Sequence, residues 1–182
     1  MKNHILSAFR LTLVMLVIVG IYLGIVYAGS KILPTQGNAE IINYKGQKFY
    51  ANIGQDFKSP KYFHGRPSAV DYNAAGSAGS NKGPSNEEYL QTVQKRIDTL
   101  KMQNPEMENV KVPVELVTAS GSGLDPDISE DGALYQVKRI AKVRNIPVET
   151  LENLIKNHTG KPVFGPSKVN VLKLNIALDN LK

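Results

Sequence analysis

Leu11–Ala28 reads LTLVMLVIVGIYLGIVYA, and the reading of the whole chain turns on it. The run holds no charged side chain, and its clearly polar groups are the hydroxyls of Thr12, Tyr22 and Tyr27. Rising about 1.5 Å per residue as a helix, it reaches about 27 Å, close to the ~30 Å hydrocarbon core of a bilayer. A helix satisfies its own backbone hydrogen bonds, so it can stand in lipid unaided. Every face is apolar, which sets the run apart from an amphipathic helix on a soluble core. Val26-Tyr27-Ala28 has the small-residue character of a signal-peptide cleavage site, but signal cores run to roughly 7–15 residues, and this run is longer. The expectation is a retained transmembrane anchor over residues 1–33 and one domain over residues 34–182. Lys2 and Arg10 precede the run and only Lys31 closely follows it, so the amino terminus is expected in the cytoplasm and the domain outside, in a single-pass protein of the cell membrane.

The 182 residues leave enough chain beyond the span for a domain with its own core. Half of the net charge of +6 sits on Lys2, Arg10 and Lys31. No dense Lys/Arg run is interleaved with aromatics, so nucleic acid is not an expected partner. Cysteine is absent, which excludes disulfides, thiol catalysis and a lipidated cysteine anchor.

After a linker at Pro34–Asn38, Glu40–Tyr44 and Gln47–Ile53 read as two strands of a hairpin around Lys45-Gly46. Asp71–Asn86 is almost wholly Gly, Ser, Asn and Ala. A helix should follow from Ser85 or Asn86, with Ser85 and Glu88 at capping-box spacing and Leu90, Val93, Ile97 and Leu100 on one face. Pro105 marks its end. Val112–Ala119 is a short apolar element, extended or a single turn, and Ser120-Gly121-Ser122-Gly123 is a second flexible loop. Ser129 is an N-cap, with Asp125 and Asp127 expected to help cap the same helix. Leu134, Val137, Ile140 and Ala141 face inward, while Lys138, Arg139, Lys142 and Arg144 face water. Pro147 opens another helix, with Leu151, Leu154 and Ile155 inward and Gly160 as its C-terminal cap. Asn170 caps a last helix, with Val171, Leu174, Leu178 and Leu181 on one face. The fold class is α+β: a single N-terminal transmembrane helix followed by one extracytoplasmic α+β domain.

The two Gly/Ser loops have the composition of anion cradles, but Gly79-Ser80-Asn81-Lys82-Gly83 lacks the Gly-Lys-Ser/Thr spacing of a P-loop and no hydrophobic strand precedes it. A serine hydrolase would need Ser120 or Ser122 with His64 or His158 and a carboxylate, and the nucleophile-elbow pattern is missing. Both histidines are isolated, so no metal site is expected, and each reads as a hydrogen-bonded surface or turn residue. Asn157-His158-Thr159 matches a glycosylation acceptor, a frequent chance match. Arg66-Pro67-Ser68 reads either as an anion site or as a buried structural arginine. Gly20 and Gly24 have small-xxx-small spacing, a candidate face for packing against another membrane helix.

Together these blocks resemble the C subunit of the bacterial high-affinity potassium-transporting P-type ATPase, the Kdp complex. The likeness begins with the single span and Ile53-Gly54-Gln55, and continues through Phe63–Ala69 with Tyr72 and Gly79–Asn86. Asp98, Val112-Pro113, Leu116–Pro126, Gln136, Arg139, Ala141 and Val169–Leu172 follow, and Leu174-Asn175 with Ala177–Asp179 closes it. Two positions depart: Asp127 stands where the family usually has His, and Ala78-Gly79 where it usually has a Gly pair. The resemblance implies an accessory subunit with no catalytic residues of its own, needed for assembly and described as a catalytic chaperone that raises the nucleotide affinity of the ATPase subunit. The partners it implies are a channel-like potassium-selecting subunit, a P-type ATPase subunit, a small single-span subunit and the lipid bilayer. ATP enters only through the ATPase partner, since no recognisable motif here binds a cofactor and the phosphorylated Asp-Lys-Thr-Gly of such pumps is absent. The loops expected to contact partners, or to be linked to nucleotide binding, are carried by Arg66, Ser80, Asn81, Gly83, Ser120, Gly121, Ser122, Gly123 and Asp125. Besides the serine hydrolase, a module binding anionic cell-wall polymers is an alternative, resting on the modest positive charge alone.

Overall fold

The apolar run is helical throughout, inside a helix α1 that spans Lys2–Ser30. Thr12 Oγ1 donates to Ala8 O at 3.0 Å and Ser30 Oγ to Tyr27 O at 2.8 Å, so these hydroxyls are satisfied by the helix itself. Over His4–Ser30 the helix is long and apolar enough to cross a membrane, and none of it is buried within the protein. The Lys31 ammonium sits 5.0 Å from the Tyr27 ring centroid at the helix end. The computed structural model describes residues 2–160, 162 and 165–181. By its contacts the chain divides into two units, Met1–Glu40 and Ile41–Lys182.

The second unit mixes helix and sheet. It opens with the expected hairpin, β1 (Ile41–Tyr44) antiparallel to β2 (Gln47–Tyr50), with Tyr44 opposite Gln47. Lys45 and Gly46 both have positive φ, 49° and 77°, the geometry whose twist suits a two-residue hairpin turn. The second strand stops three residues short of Ile53. Helix α2 (Glu87–Gln103) takes Asn86 as its N-cap, whose side chain accepts from Tyr89 N, rather than Ser85. Glu87 and Glu88 occupy its first turn, at the positive end of the dipole. Two short 3-10 turns, Pro105–Met107 and Val114–Leu116, carry the chain onward.

Helices α3 (Glu130–Leu134) and α4 (Val137–Arg144) replace the single helix expected after Ser129. Asn145, at φ 55°, ends α4 in a left-handed cap. Helix α5 (Val148–His158) follows Pro147, and α6 (Val171–Asp179) is capped by Asn170 accepting from Lys173 N, as the sequence suggests. Gly160 is not the cap of α5. It lies in a two-residue strand, β4 (Thr159–Gly160), because the chain leaves the helix extended at Thr159 and pairs at once. With β3 (Asp127–Ile128) and β5 (Lys168–Asn170) it makes a three-stranded antiparallel sheet, ordered β3-β5-β4. The core lies between this sheet and α3–α6, where Phe63, Ile140, Leu151, Ile155, Val169, Leu174 and Leu178 are fully buried.

Two of the basic residues expected to face water do not. Arg139 is 6% exposed, and Arg144 is half-buried with its guanidinium on Asp179 at 2.5 Å. The turns of Pro60–Tyr62 pack over that face of α4 and offer carbonyl oxygens there. Arg139 donates to Pro60 O and, at 3.2 Å, to Tyr62 O; Arg144 Nε donates to Lys61 O at 2.8 Å.

Candidate functional site

The two Gly/Ser loops come together. Ser77 Oγ donates to Ser122 O at 2.9 Å, and Ser120 N donates to Pro67 O at 3.1 Å. Gly123 carries φ +69°, and a Cβ there would stand 2.6 Å from Val70 Cγ2 and 2.7 Å from Ala78 O. Only glycine meets both demands, so the sequence at this position sets how closely the loops approach. A third segment closes on the same place: Gly54 N donates to Leu124 O at 2.8 Å, and a Cβ on Gly54 would lie 2.6 Å from Asp125 O.

Arg66 joins this interlock through Nη1, 3.0 Å from Asp125 Oδ2, with both side chains about a quarter exposed. Asp125 Oδ1 accepts from Asp127 N at 3.1 Å, so this carboxylate spans two partners. Tyr72 braces the arginine's backbone, donating its hydroxyl to Arg66 O at 2.5 Å, and burial pushes that hydroxyl's pKa up to about 12. Ser68 Oγ accepts from the N–H of both Val70 and Tyr72 and shapes the turn between them. Neither aspartate caps α3. Ser129 alone does so, accepting from Gly132 N, and Glu115 holds the Ser129 hydroxyl at 2.6 Å. Asp127 instead pairs with Lys168 Nζ at 2.5 Å across the β3–β5 edge, because it lies in β3 opposite Asn170 of β5.

Of the residues singled out in the sequence, Arg66, Ser120, Gly121, Ser122, Gly123 and Asp125 therefore share one locus. Ser120 is buried, at 3% exposure, while Gly121 and Ser122 are exposed. Ser80, Asn81 and Gly83 lie farther along the first loop, Ser80 half-buried and the other two exposed. Asn81 is left-handed at φ 50°. Among the described residues no hydrogen bond joins Ser120 or Ser122 to a histidine. His64 Nε2 is bonded to Ser59 O at 3.1 Å, His158 Nδ1 to Leu154 O at 2.9 Å, and Ser122 Oγ accepts from Leu124 N. No three His, Cys, Asp or Glu residues group as metal ligands among the described residues.

The loops also fit a phosphate poorly. The first turn of α2, where an anion would seek free N–H groups, presents Glu87, Glu88 and the Asn86 side-chain oxygen, and Lys82 is engaged by Glu88 at 2.7 Å. Those carboxylates repel a phosphate approaching the helix end.

A second polar assembly escaped the sequence reading. Asn175 of α6 clamps Phe63, accepting from its N–H and donating to its carbonyl, each at 2.9 Å. Gln136 clamps the next residue, accepting from His64 N at 2.8 Å and donating to His64 O at 3.1 Å. The Phe63-His64 peptide groups are thus held from both sides by buried amides, just before Arg66. Arg139 completes the assembly by donating to Gln136 Oε1 and Asn104 Oδ1, and burial lowers its pKa to about 10. Burial, reinforced by the Arg139 charge, also lowers the pKa of His64. Asn175 could have been found: it sits between Leu174 and Leu178 on an otherwise apolar face, where a polar side chain needs a partner.

Among the described residues, one helix able to cross a membrane, followed by a mixed helix–sheet unit that carries interlocked glycine-rich loops, is the class of protein these observations define. A family model described as "KdpC: K+-transporting ATPase, c chain" matches residues 5–180. Curated relatives named potassium-transporting ATPase KdpC subunit come from Flavobacterium johnsoniae, 53% identical with all of both chains covered, and Phocaeicola vulgatus, 47% identical with the same coverage. Another of that name, from Bacillus thuringiensis, is 43% identical over 99% of this chain and 97% of its own. The chain belongs to the KdpC family, the c chains of potassium-transporting ATPases.

Proposed function

We propose that this chain is a non-catalytic accessory subunit of an ATP-driven potassium-uptake complex, anchored by α1 with its amino terminus in the cytoplasm and residues 41–182 outside. The observation that carries the reading is likeness to KdpC subunits along the whole chain, joined to an apolar helix, His4–Ser30, long enough to cross a membrane. The interlocked loops at Arg66, Ser77–Gly83 and Ser120–Asp125 dock on the channel-like, potassium-selecting subunit. Gly20 and Gly24 have open space around them in α1 and form its contact with a neighbouring membrane helix. ATP hydrolysis belongs to the P-type ATPase partner. A domain outside the membrane does not meet cytoplasmic ATP, so a chaperone effect on nucleotide affinity passes through the partner subunits as a coupling between sites.

Co-purification tests the assembly: a tagged copy should bring down the channel-like and ATPase subunits, and its deletion should abolish potassium uptake. Restored uptake in the absence of this chain would overturn the reading. Because the chain has no cysteine, Lys156→Cys, exposed on α5 and outside the docking loops, gives a clean topological reporter. It should react with a membrane-impermeant maleimide in intact spheroplasts; reaction only after lysis would refute the orientation.

A further inference from the structure

A cleft of about 680 Å³ opens where the hairpin turn, the 60–62 turn, the end of α4 and the start of α5 come together, and it shares no residue with the glycine-rich loops. Three cations line it, Lys45, Lys61 and Arg144, against one carboxylate among the described residues, Asp179. That carboxylate is already engaged within the chain, accepting from the hydroxyls of Tyr44 and Tyr62, from Lys45 and from Arg144. Lys61 is exposed and forms no ion pair among the described residues. The cleft therefore presents an excess of positive charge to whatever enters it.

The cations are also held in place. Lys61 Nζ lies 5.3 Å and Arg144 Cζ 4.9 Å from the Tyr62 ring centroid, and Lys45 Nζ lies 4.8 Å from that of Tyr44. The rings restrain the long stems, so less side-chain freedom is left to lose when an anion arrives. The charges stand at two depths: the Lys45 side chain is 68% exposed, that of Arg144 only 17%. Beside them Val143 is 51% exposed, and Ile146 and Leu181 extend the apolar part of the lining. A flat array of lipid phosphates would meet the protruding lysines alone and leave Val143 in water. A polypeptide segment with Asp or Glu next to apolar side chains pairs with the lysines and covers Val143 in one object.

We propose that this cleft receives an acidic segment of a partner polypeptide in the same assembly, its carboxylates paired with Lys61 and Lys45. The inference rests on the subunit reading above but concerns a surface apart from the glycine-rich loops. The cleft is thus a second, charge-matched point of attachment to the complex.

The test is zero-length carbodiimide coupling, which joins an amine only to a carboxylate in contact with it, applied to the full chain in complex with its co-expressed partner subunits. Peptide mapping should place Lys61 on an Asp or Glu of a partner subunit. A link to a second copy of this chain overturns the proposal, as does a silent Lys61 in an intact complex; that last result leaves the subunit reading standing. Failure of the unsubstituted chain to co-purify overturns both together. Charge reversal provides the second readout. Lys61→Glu should lower co-purification of the partner about tenfold at low salt, and added salt should shrink the difference from the parent. Lys156→Glu, at an exposed site on α5, changes the net charge equally and should have no effect. Lys61→Gln, which adds no carboxylate beside Asp179, should lose about threefold. It should leave the melting temperature of the detergent-purified chain unchanged, because no ion pair within the chain is removed. Full retention by both Lys61 variants overturns the assignment. Loss of co-purified anionic phospholipid with the subunits retained assigns the cleft to headgroups and overturns it as well.

Discussion

Gln136 Oε1 accepts two hydrogen bonds at once, from His64 N at 2.8 Å and from Arg139 Nη2 at 2.7 Å. The arginine's other donors reach Asn104 Oδ1 at 3.1 Å and the carbonyls of Pro60 and Tyr62. One cation therefore ties the end of α2, the 60–64 segment and the start of α4 without any carboxylate. Arg139→Ala removes the donors and leaves buried acceptors unmade, each at roughly 1–3 kcal/mol. A loss of about 3 kcal/mol is expected in urea unfolding of the detergent-solubilised chain. Arg139→Lys should recover less than half of it, because an ammonium cannot fork to four acceptors. Full recovery by lysine would show that charge alone, rather than the fork, holds the segment.

Asp179 gathers four donors: Tyr44 and Tyr62 hydroxyls at 2.9 and 3.0 Å, Lys45 Nζ at 3.0 Å and Arg144 Nη2 at 2.5 Å. Burial works against its ionisation, but the hydrogen bonds from Arg144, Lys45, Tyr44 and Tyr62 outweigh it and hold its pKa well below the usual carboxylate range. Depressed in the folded state, the group contributes stability that is fully present above the unfolded value, about 3.9, and is lost as pH falls through the folded value. Asp179→Asn should cost about 2 kcal/mol at neutral pH, measured by chemical unfolding. The gap between parent and variant should narrow steadily below about pH 4. A gap independent of pH would mean the carboxylate charge is not what binds the hairpin to α6.

His64 supplies a separate pH dependence at higher pH. Burial, then the neighbouring Arg139 charge, lowers its pKa in the folded chain. The unfolded chain takes up a proton near pH 6.5 that the folded chain refuses until lower pH. Stability from this residue is therefore complete above about pH 6.5 and falls as pH drops through the lowered folded value. Melting temperature should decline between about pH 7 and 5, and His64→Gln should flatten that slope. An unchanged slope would assign the decline to another group.

The span and the helix caps were legible because each rests on a local signal: an unbroken apolar run, Ser129 before two acids, Asn170 before an apolar stripe. The hairpin was legible for the same reason, since Lys45-Gly46 states the turn outright. The β3-β5-β4 sheet was not, because strands of two or three residues leave no alternation to read. Gly160 misled by resembling a helix stop while serving a strand. Arg139 and Arg144 fell on the polar side of a helical wheel, and what buries them, the 60–62 turn, is about 80 residues away in sequence. For the loops, composition marked the places, but only the fold shows that Ser77–Gly79 and Ser120–Gly123 meet. Asn175 and Gln136 lay within the family blocks, yet their task, clamping two successive peptides, depends on the path of the segment they clamp.

The two glycines at the tip of the second loop separate folding from docking. Gly123 is left-handed and crowded by Val70 and Ala78, whereas a Cβ at Gly121 meets nothing within 4 Å. Gly123→Ala should therefore destabilise the chain by about 2 kcal/mol or more, from backbone strain plus the clash. Gly121→Ala should leave unfolding within about 0.5 kcal/mol of the parent. If the loop is a docking surface, Gly121→Ala still lowers recovery of the channel-like subunit with a tagged chain, because the added methyl stands where the partner approaches. Measuring both variants for melting temperature and co-purification decides the matter. A Gly121→Ala chain that folds and assembles like the parent would remove the tip of this loop from the interface, and would leave the 120–125 segment with the task of holding Arg66, Ser77 and Gly54 in place.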